Sequence, residues 1–230
     1  MSIETKAPTS AGIIYPESDG QPMAENTRQF EAITTIKGGL DAVFLDAPDV
    51  FVAGDLFWYP VEGNNQIRTA PDIMVAFGRP KGHRGSYQQW LEGGIAPRVT
   101  FEILSPGNRP GEMIRKFQFY EQYGVEEYYI YDPDNELLDG WIRKGAKLAE
   151  IAEMNGWTSP ALGIRFQFVD GRLQIFGPCG SPFASYVELV QQRDRERQEK
   201  EKERQEKEKE RRRAERLAEQ LRALGVEPEA

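Results

Sequence analysis

Two acids stand where acids are costly. Asp72 opens the apolar run Pro71-Asp72-Ile73-Met74-Val75-Ala76-Phe77, and Glu102 lies inside Val99-Thr100-Phe101-Glu102-Ile103-Leu104. Runs of this kind read as strands buried on both faces, where a carboxylate must be paired, hydrogen-bonded or bound to a metal. The thirty-residue separation is the arrangement expected when adjacent strands present two carboxylates to one metal-binding edge. Mg²⁺, or Mn²⁺ in its place, takes one or two carboxylates and fills its other positions with water and substrate phosphate. Such an ion lowers the pKa of a bound water and screens charge on a phosphodiester under attack, so phosphodiester hydrolysis fits.

Composition excludes several alternatives. One cysteine, Cys179, and one histidine, His83, leave no internal disulfide and no Cys/His cluster for zinc. A Ser-His-Asp mechanism would have to use His83, in a Gly/Arg-rich stretch with no nucleophile elbow. No apolar run approaches the roughly 20 residues of a membrane span. The N-terminus lacks the basic and then apolar pattern of a signal peptide, so a cytoplasmic protein without a membrane partner is expected.

The elements that must position the acids fall within a chain of 230 residues, 39% hydrophobic and 11% aromatic, enough for one well-cored domain and an appendage. Residues 1–22, punctuated by Pro8, Gly12, Pro16, Gly20 and Pro22, read as an extended segment that wraps a domain. Residues 23–190 read as the globule. Pro22 to Thr27 opens an amphipathic helix with Phe30, Ile33 and Ile36 at helical spacing, and Gly38-Gly39 interrupts it before Leu40. Strands are expected at 50–59, 72–77 and 98–104. A helix from Arg109 to Tyr123, with Met113, Phe117 and Tyr120 on one stripe, stops at Gly124. A strand follows at 127–133, then an antiparallel pair between Leu138 and Ile151 with turns at Asp134-Asn135 and Lys144-Gly145, and a short β region over 157–176. This order indicates an α/β fold with a mixed sheet flanked by helices.

From Gln191 the composition changes. RQEKEKE occurs twice in succession from Arg197, and residues 191–230 carry 13 Lys/Arg against 12 Asp/Glu, which leaves residues 1–190 with 16 against 25, or −9. Without apolar a and d positions the repeat reads as a solvated charged helix laced with i,i+3 and i,i+4 pairs. Only Leu217, Leu221 and Leu224 offer an apolar stripe on which a second copy or another partner could dock. The acidic body sits awkwardly with a nucleic-acid partner. Arg79, Lys81, Arg84 and Arg98 surround Tyr87 and Trp90 with Glu92 alone opposing them, which makes 79–98 the candidate strand-contacting loop; the same residues also fit a loop of solvated arginines. Ser105-Pro106-Gly107-Asn108 is a turn whose amides suit a phosphate or merely close the chain.

Pro-Asp, a strand and a following acid resemble the hallmark of the PD-(D/E)xK, restriction-endonuclease-like superfamily. More closely, Ala70-Pro71-Asp72, Phe101 to Asn108, Lys116-Phe117-Gln118-Phe119-Tyr120 and Gly124 to Pro133 resemble the bacterial restriction-endonuclease family called Uma-two, over about residues 23–190. The resemblance implies a restriction-endonuclease-like core and a Mg²⁺-dependent endonuclease acting on DNA. One departure stands out: two positions beyond Glu102 the superfamily has lysine and this chain has Leu104.

The resemblance implies that Lys116, on the following helix, takes the missing role, with Asp72, Glu102 and the Ile103 carbonyl holding the metal. Glu112, Lys116 and Tyr120 fall at i, i+4 and i+8 on one helical face; on the resemblance, Glu112 would position Lys116 or add a further carboxylate behind the metal ligands, and Tyr120 would touch phosphate. The family also supplies an acid from its first helix, for which Glu25 and Glu31 both qualify. Asp55 either extends the acidic cluster or is a turn acid. A competing expectation rests on Leu104 and the acidic body: a nuclease-like fold that does not cut and serves as a binding or assembly module through its charged tail.

Overall fold

The computed structural model describes residues 12–18, 20 and 24–223. Pro8, Pro22, Met23 and Leu224, and the side chain of Leu221, lie outside the described residues. Helix α1 (Thr27–Val43) begins at Asn26, whose side chain accepts the Gln29 N–H at 2.8 Å while the Gln29 Oε1 accepts the Glu25 N–H at 2.8 Å. Its buried face is Gln29, Ile33, Ile36 and Leu40. Phe30, expected on that face, is exposed, because it sits about 100° around the helix from Gln29. Gly38-Gly39 does not interrupt the helix as expected. A Cβ on Gly39 would lie 2.2 Å from the Phe183 ring, so this glycine makes room for a neighbour rather than marking a break.

Strands β1 (Val50–Gly54) and β2 (Trp58–Tyr59) replace the single strand expected over 50–59. The chain turns at Asp55, whose φ is +46°, and β2 leaves the main sheet. Then come β3 (Ile73–Phe77), β4 (Tyr87–Gln88), β5 (Val99–Ile103), α2 (Pro110–Tyr123), β6 (Glu127–Asp132), β7 (Leu137–Lys144), β8 (Lys147–Glu150), β9 (Arg165–Val169) and β10 (Arg172–Phe176). The main sheet runs β1-β3-β5-β6-β7-β8. Its neighbours are antiparallel except β5 and β6, which are parallel and joined by α2 as crossover. β2 pairs with β4 in parallel, and β9 with β10 as a hairpin.

Each sheet face has its own helix. On one side Ile33, Ile36 and Leu40 of α1 meet Val75, Phe101 and Tyr129, with Phe166 of β9 closing the cluster. On the other, Tyr120 and Phe117 of α2 meet Met74, Tyr128 and Trp58. The fold is thus a mixed sheet flanked by helices. A buried Glu127 ties the segment before β9 to β6: it accepts from the Tyr129 hydroxyl at 2.8 Å, from the Ala161 N–H at 2.7 Å and from the Ser159 hydroxyl. With three donors, this acid is satisfied structurally.

Among the described residues, those up to Phe183 form one compact unit and those from Ala184 a second. In the second, α3 (Tyr186–Ala223) starts ahead of the compositional change at Gln191, where Ser185 and Glu188 cap each other's backbone. Its pairs, such as Glu203 with Lys207 at 2.5 Å and Glu208 with Arg212 at 2.8 Å, lie one turn apart on exposed faces. Leu217 is exposed. No helix among the described residues is long and apolar enough to cross a membrane.

Candidate active site

Asp72 precedes β3 by one residue, and Ile73 is paired with Phe101 of β5. Continuing that antiparallel register by one step sets Asp72 opposite Glu102, so both carboxylates project from the sheet face covered by α2. The Ile103 N–H donates to Asp72 Oδ2 at 2.6 Å, fixing the aspartate against the next strand. From above, α2 brings two groups onto Glu102. The Lys116 ammonium lies 2.6 Å from Oε2 and also donates to the Ala70 carbonyl at 3.3 Å, and the Tyr120 hydroxyl donates to Oε1. Four residues apart, Lys116 and Tyr120 share a helical face. Pro110 starts that helix, and Gly124, at φ +95°, ends it in the left-handed conformation of a C-terminal cap.

Burial sets the protonation states. Glu102 is 2% exposed, and desolvation holds its carboxyl above the usual range although Lys116 and the Tyr120 hydroxyl pull it down. Asp72 is pushed up to about 8, first by burial and then by the charge of Glu102, against the opposing pull of Lys116 and the Ile103 N–H; Asp55 adds to the rise. Burial works against the Lys116 ammonium, but Glu102, Asp72 and Glu112 outweigh it and hold its pKa above the ordinary value. Burial and the neighbouring Glu102 raise the Tyr120 hydroxyl well above its ordinary value. Behind Glu102 stands an aromatic wall: the Trp58 and Tyr120 rings stack at 6.3 Å, and Tyr120 meets Tyr128 edge-on at 4.9 Å.

One ammonium therefore answers two desolvated carboxylates, and the unmet negative charge shows in the raised Asp72. A hard divalent cation would relieve it, and the available donors are all oxygens: Asp72, Glu102 and the Ile103 carbonyl. Among the described residues no group of three or more His, Cys, Asp or Glu side chains is placed to hold a metal. A donor set of two carboxylates and a carbonyl suits Mg²⁺ better than a metal needing a full protein cage.

The first helix contributes a different residue from the two expected. Glu31 is exposed, turned away from the buried stripe. Glu25 is exposed ahead of the helix and accepts from the Ser105 hydroxyl at 2.5 Å. The residue that reaches the site is Gln29, whose amide donates to the Ile103 carbonyl at 2.8 Å. A carbonyl oxygen has a second lone pair, so this bond leaves it able to face a cation. Gln29 was legible in two signals, its place four residues before Ile33 on the apolar stripe and the Asn26-x-x-Gln29 cap pattern. Asp55 sits exposed at the turn after β1, its N–H donating to the Asp72 carbonyl at 3.2 Å, and its charge is felt by Asp72. Glu112 is half-buried on α2, and its charge is felt by both Lys116 and Glu102.

The segment 79–98 is not the open stacking loop expected. Tyr87 is fully buried, and Glu92 binds Arg79 at 2.8 Å and Arg84 at 2.6 Å. Arg98 pairs with Glu126 at 2.6 Å. Arg79 and Arg84 are spent on internal pairs because Glu92, itself nearly buried, needs them, whereas the Arg98 pair is half-exposed. The Ser105–Asn108 turn is closed by its own groups, the Asn108 side chain accepting the Ser105 N–H at 2.7 Å.

A family model described as "Uma2: Putative restriction endonuclease" matches residues 10–175. Among solved structures, a "putative nuclease belonging to DUF820" from Anabaena variabilis matches at 16% identity with a TM-score of 0.46, over 64% of this chain and 82% of that one. No curated protein matches.

Proposed function

This chain belongs to the Uma2 family, and on that premise we propose that it is an endonuclease that hydrolyses DNA phosphodiester bonds with Mg²⁺. The observation that carries the reading is the Lys116 ammonium seated on Glu102, within the electrostatic reach of Asp72. A lysine absent from the strand has an equivalent on the helix.

Asp72, Glu102 and the Ile103 carbonyl would hold the ion. When bound, Mg²⁺ supplies an acidified water and neutralises charge on the phosphate. Lys116 has its pKa held above the ordinary value, so it stays charged at neutral pH and does not take a proton. It orients the attacking water and stabilises the negative charge that grows on the phosphate oxygens. Tyr120 stays protonated and fixes one Glu102 oxygen, leaving the carboxylate a single orientation. The aromatic wall behind it keeps bulk water away, which strengthens each of these interactions.

Incubation with supercoiled plasmid and Mg²⁺ should give nicked circles with the unaltered protein and none with Asp72→Ala or Glu102→Ala. Equal nicking by all three rejects the reading.

A further inference from the structure

With Arg79 and Arg84 engaged by the buried Glu92, the nucleic acid needs another track across an acidic body. The outer edge of the main sheet holds a candidate. Among the described residues, strand β1 has β3 on one side and no sheet partner on the other. Beside it runs a groove of about 410 Å³ whose charged lining is Lys37, Lys81 and Arg84, with His83, against Asp41 alone. In a body of 16 basic and 25 acidic residues, that is a local reversal of sign.

The cations differ in how far they are neutralised. Arg84 stacks 3.9 Å over the Phe51 ring and is bound to Glu92. Lys37 is paired with Asp41 at 2.5 Å on a half-exposed helical face, a contact that a phosphate can displace at little cost. Lys81 is held by the Phe44 and Leu45 carbonyls, the second at 2.9 Å, so these partners position its charge without cancelling it. The groove also ends beside the backbone of the segment that carries Asp72. Gly54, at its end, has the Lys37 stem and the Asp72 carbonyl as the neighbours a Cβ would touch, at 3.8 and 3.5 Å.

Resting on the nuclease reading above, we propose that the groove along β1 binds the phosphodiester backbone of the nucleic acid, with Lys37 and Lys81 as its phosphate contacts. An extended peptide could also add to an open sheet edge, but the surplus of cations favours a polyanion.

The test is equilibrium binding of a fluorescein-labelled, mixed-sequence DNA duplex, and of its single strand, to the full chain in EDTA across a salt series. Lys37→Gln/Lys81→Gln removes both charges while glutamine still offers the carbonyls a donor. Lys144→Gln, at the end of β7 near the far edge of the sheet, is the control, and melting curves check that each variant is folded. The expected result is weaker binding of the double variant at every salt concentration, with the slope of log affinity against log salt shallower by about 2, roughly one per lysine. The control should bind like the unaltered protein. Whichever of duplex and single strand shows the larger loss is the form the groove accepts.

Binding of the double variant that matches the unaltered protein, or an equal loss in the control, overturns the groove. If plasmid nicking persists in that case, the nuclease reading stands without it. If the unaltered protein neither binds nor nicks DNA, both fall. Should the double variant prove unfolded, Lys37→Gln alone, which removes only an exposed pair, decides the question by a slope change of about 1 or none.

Discussion

The side-chain amide of Gln29 donates to the carbonyl of Ile103 at 2.8 Å, joining the first turn of α1 to the residue beside Glu102. The same side chain accepts the Glu25 N–H, so one glutamine both caps its own helix and pins the strand that carries the carboxylate. Gln29→Leu keeps the bulk and removes both bonds. It should lower stability by about 1–3 kcal/mol, because a buried carbonyl loses its donor. Urea unfolding reads the loss, and an unchanged midpoint would show that the amide contributes nothing.

Glu102 and Lys116 should behave as a coupled pair. Glu102→Ala leaves a buried ammonium without its nearest partner, a change that typically costs about 3–5 kcal/mol. Combining it with Lys116→Met should cost clearly less than the sum of the two single changes, since the second removes the charge that the first exposes. Additive losses in urea melts would argue that the 2.6 Å contact carries no interaction energy.

Lys116→Gln tests chemistry more than folding. If the ammonium stabilises the transition state, nicking should fall by about 10²–10³-fold. Affinity for plasmid in EDTA should change little. A variant that cuts at the original rate would remove Lys116 from the reaction.

The raised Asp72 makes a prediction about pH. Between its ordinary value of 3.8 and about 8 the folded protein binds this proton more tightly than the unfolded chain does. The associated stability is complete below that window and is lost as pH rises through about 8. Melting temperatures in EDTA should therefore decline from pH 5 to pH 9, and Asp72→Asn should flatten the decline. Mg²⁺, which competes with the proton, should stabilise the protein more at pH 8 than at pH 5. A slope that Asp72→Asn leaves intact would place the titration elsewhere.

Gly39→Ala should destabilise without touching the site, because its methyl group meets the Phe183 ring at 2.2 Å. Overpacking of this kind costs about 1–3 kcal/mol. A melting temperature equal to that of the unaltered protein would show that the ring moves freely aside.

Much of this arrangement is legible in the residues themselves. Asp72 and Glu102 stand out because they break apolar runs, and Met113, Phe117 and Tyr120 announce the helix that covers them. What the sequence does not disclose is which polar groups find each other across long separations. Arg79 and Arg84 look available in the chain, yet both bind Glu92, whose burial is a tertiary fact. Gly38-Gly39 looks like a break because the ring that needs the space is Phe183, far along the chain. Glu25 and Glu31 are acids of the expected type, but helical phase places Gln29 on the inner stripe instead.

A lysine two places along a strand from its glutamate is held by local backbone geometry; Lys116 is held by the seating of α2 on the sheet. The position of the ammonium is thereby delegated to Phe117, Tyr120 and the aromatic residues beneath them. If the proposed chemistry holds, a methylene trimmed from the interior, far from any water or phosphate, would be read out as slower cutting before it was noticed as weaker folding.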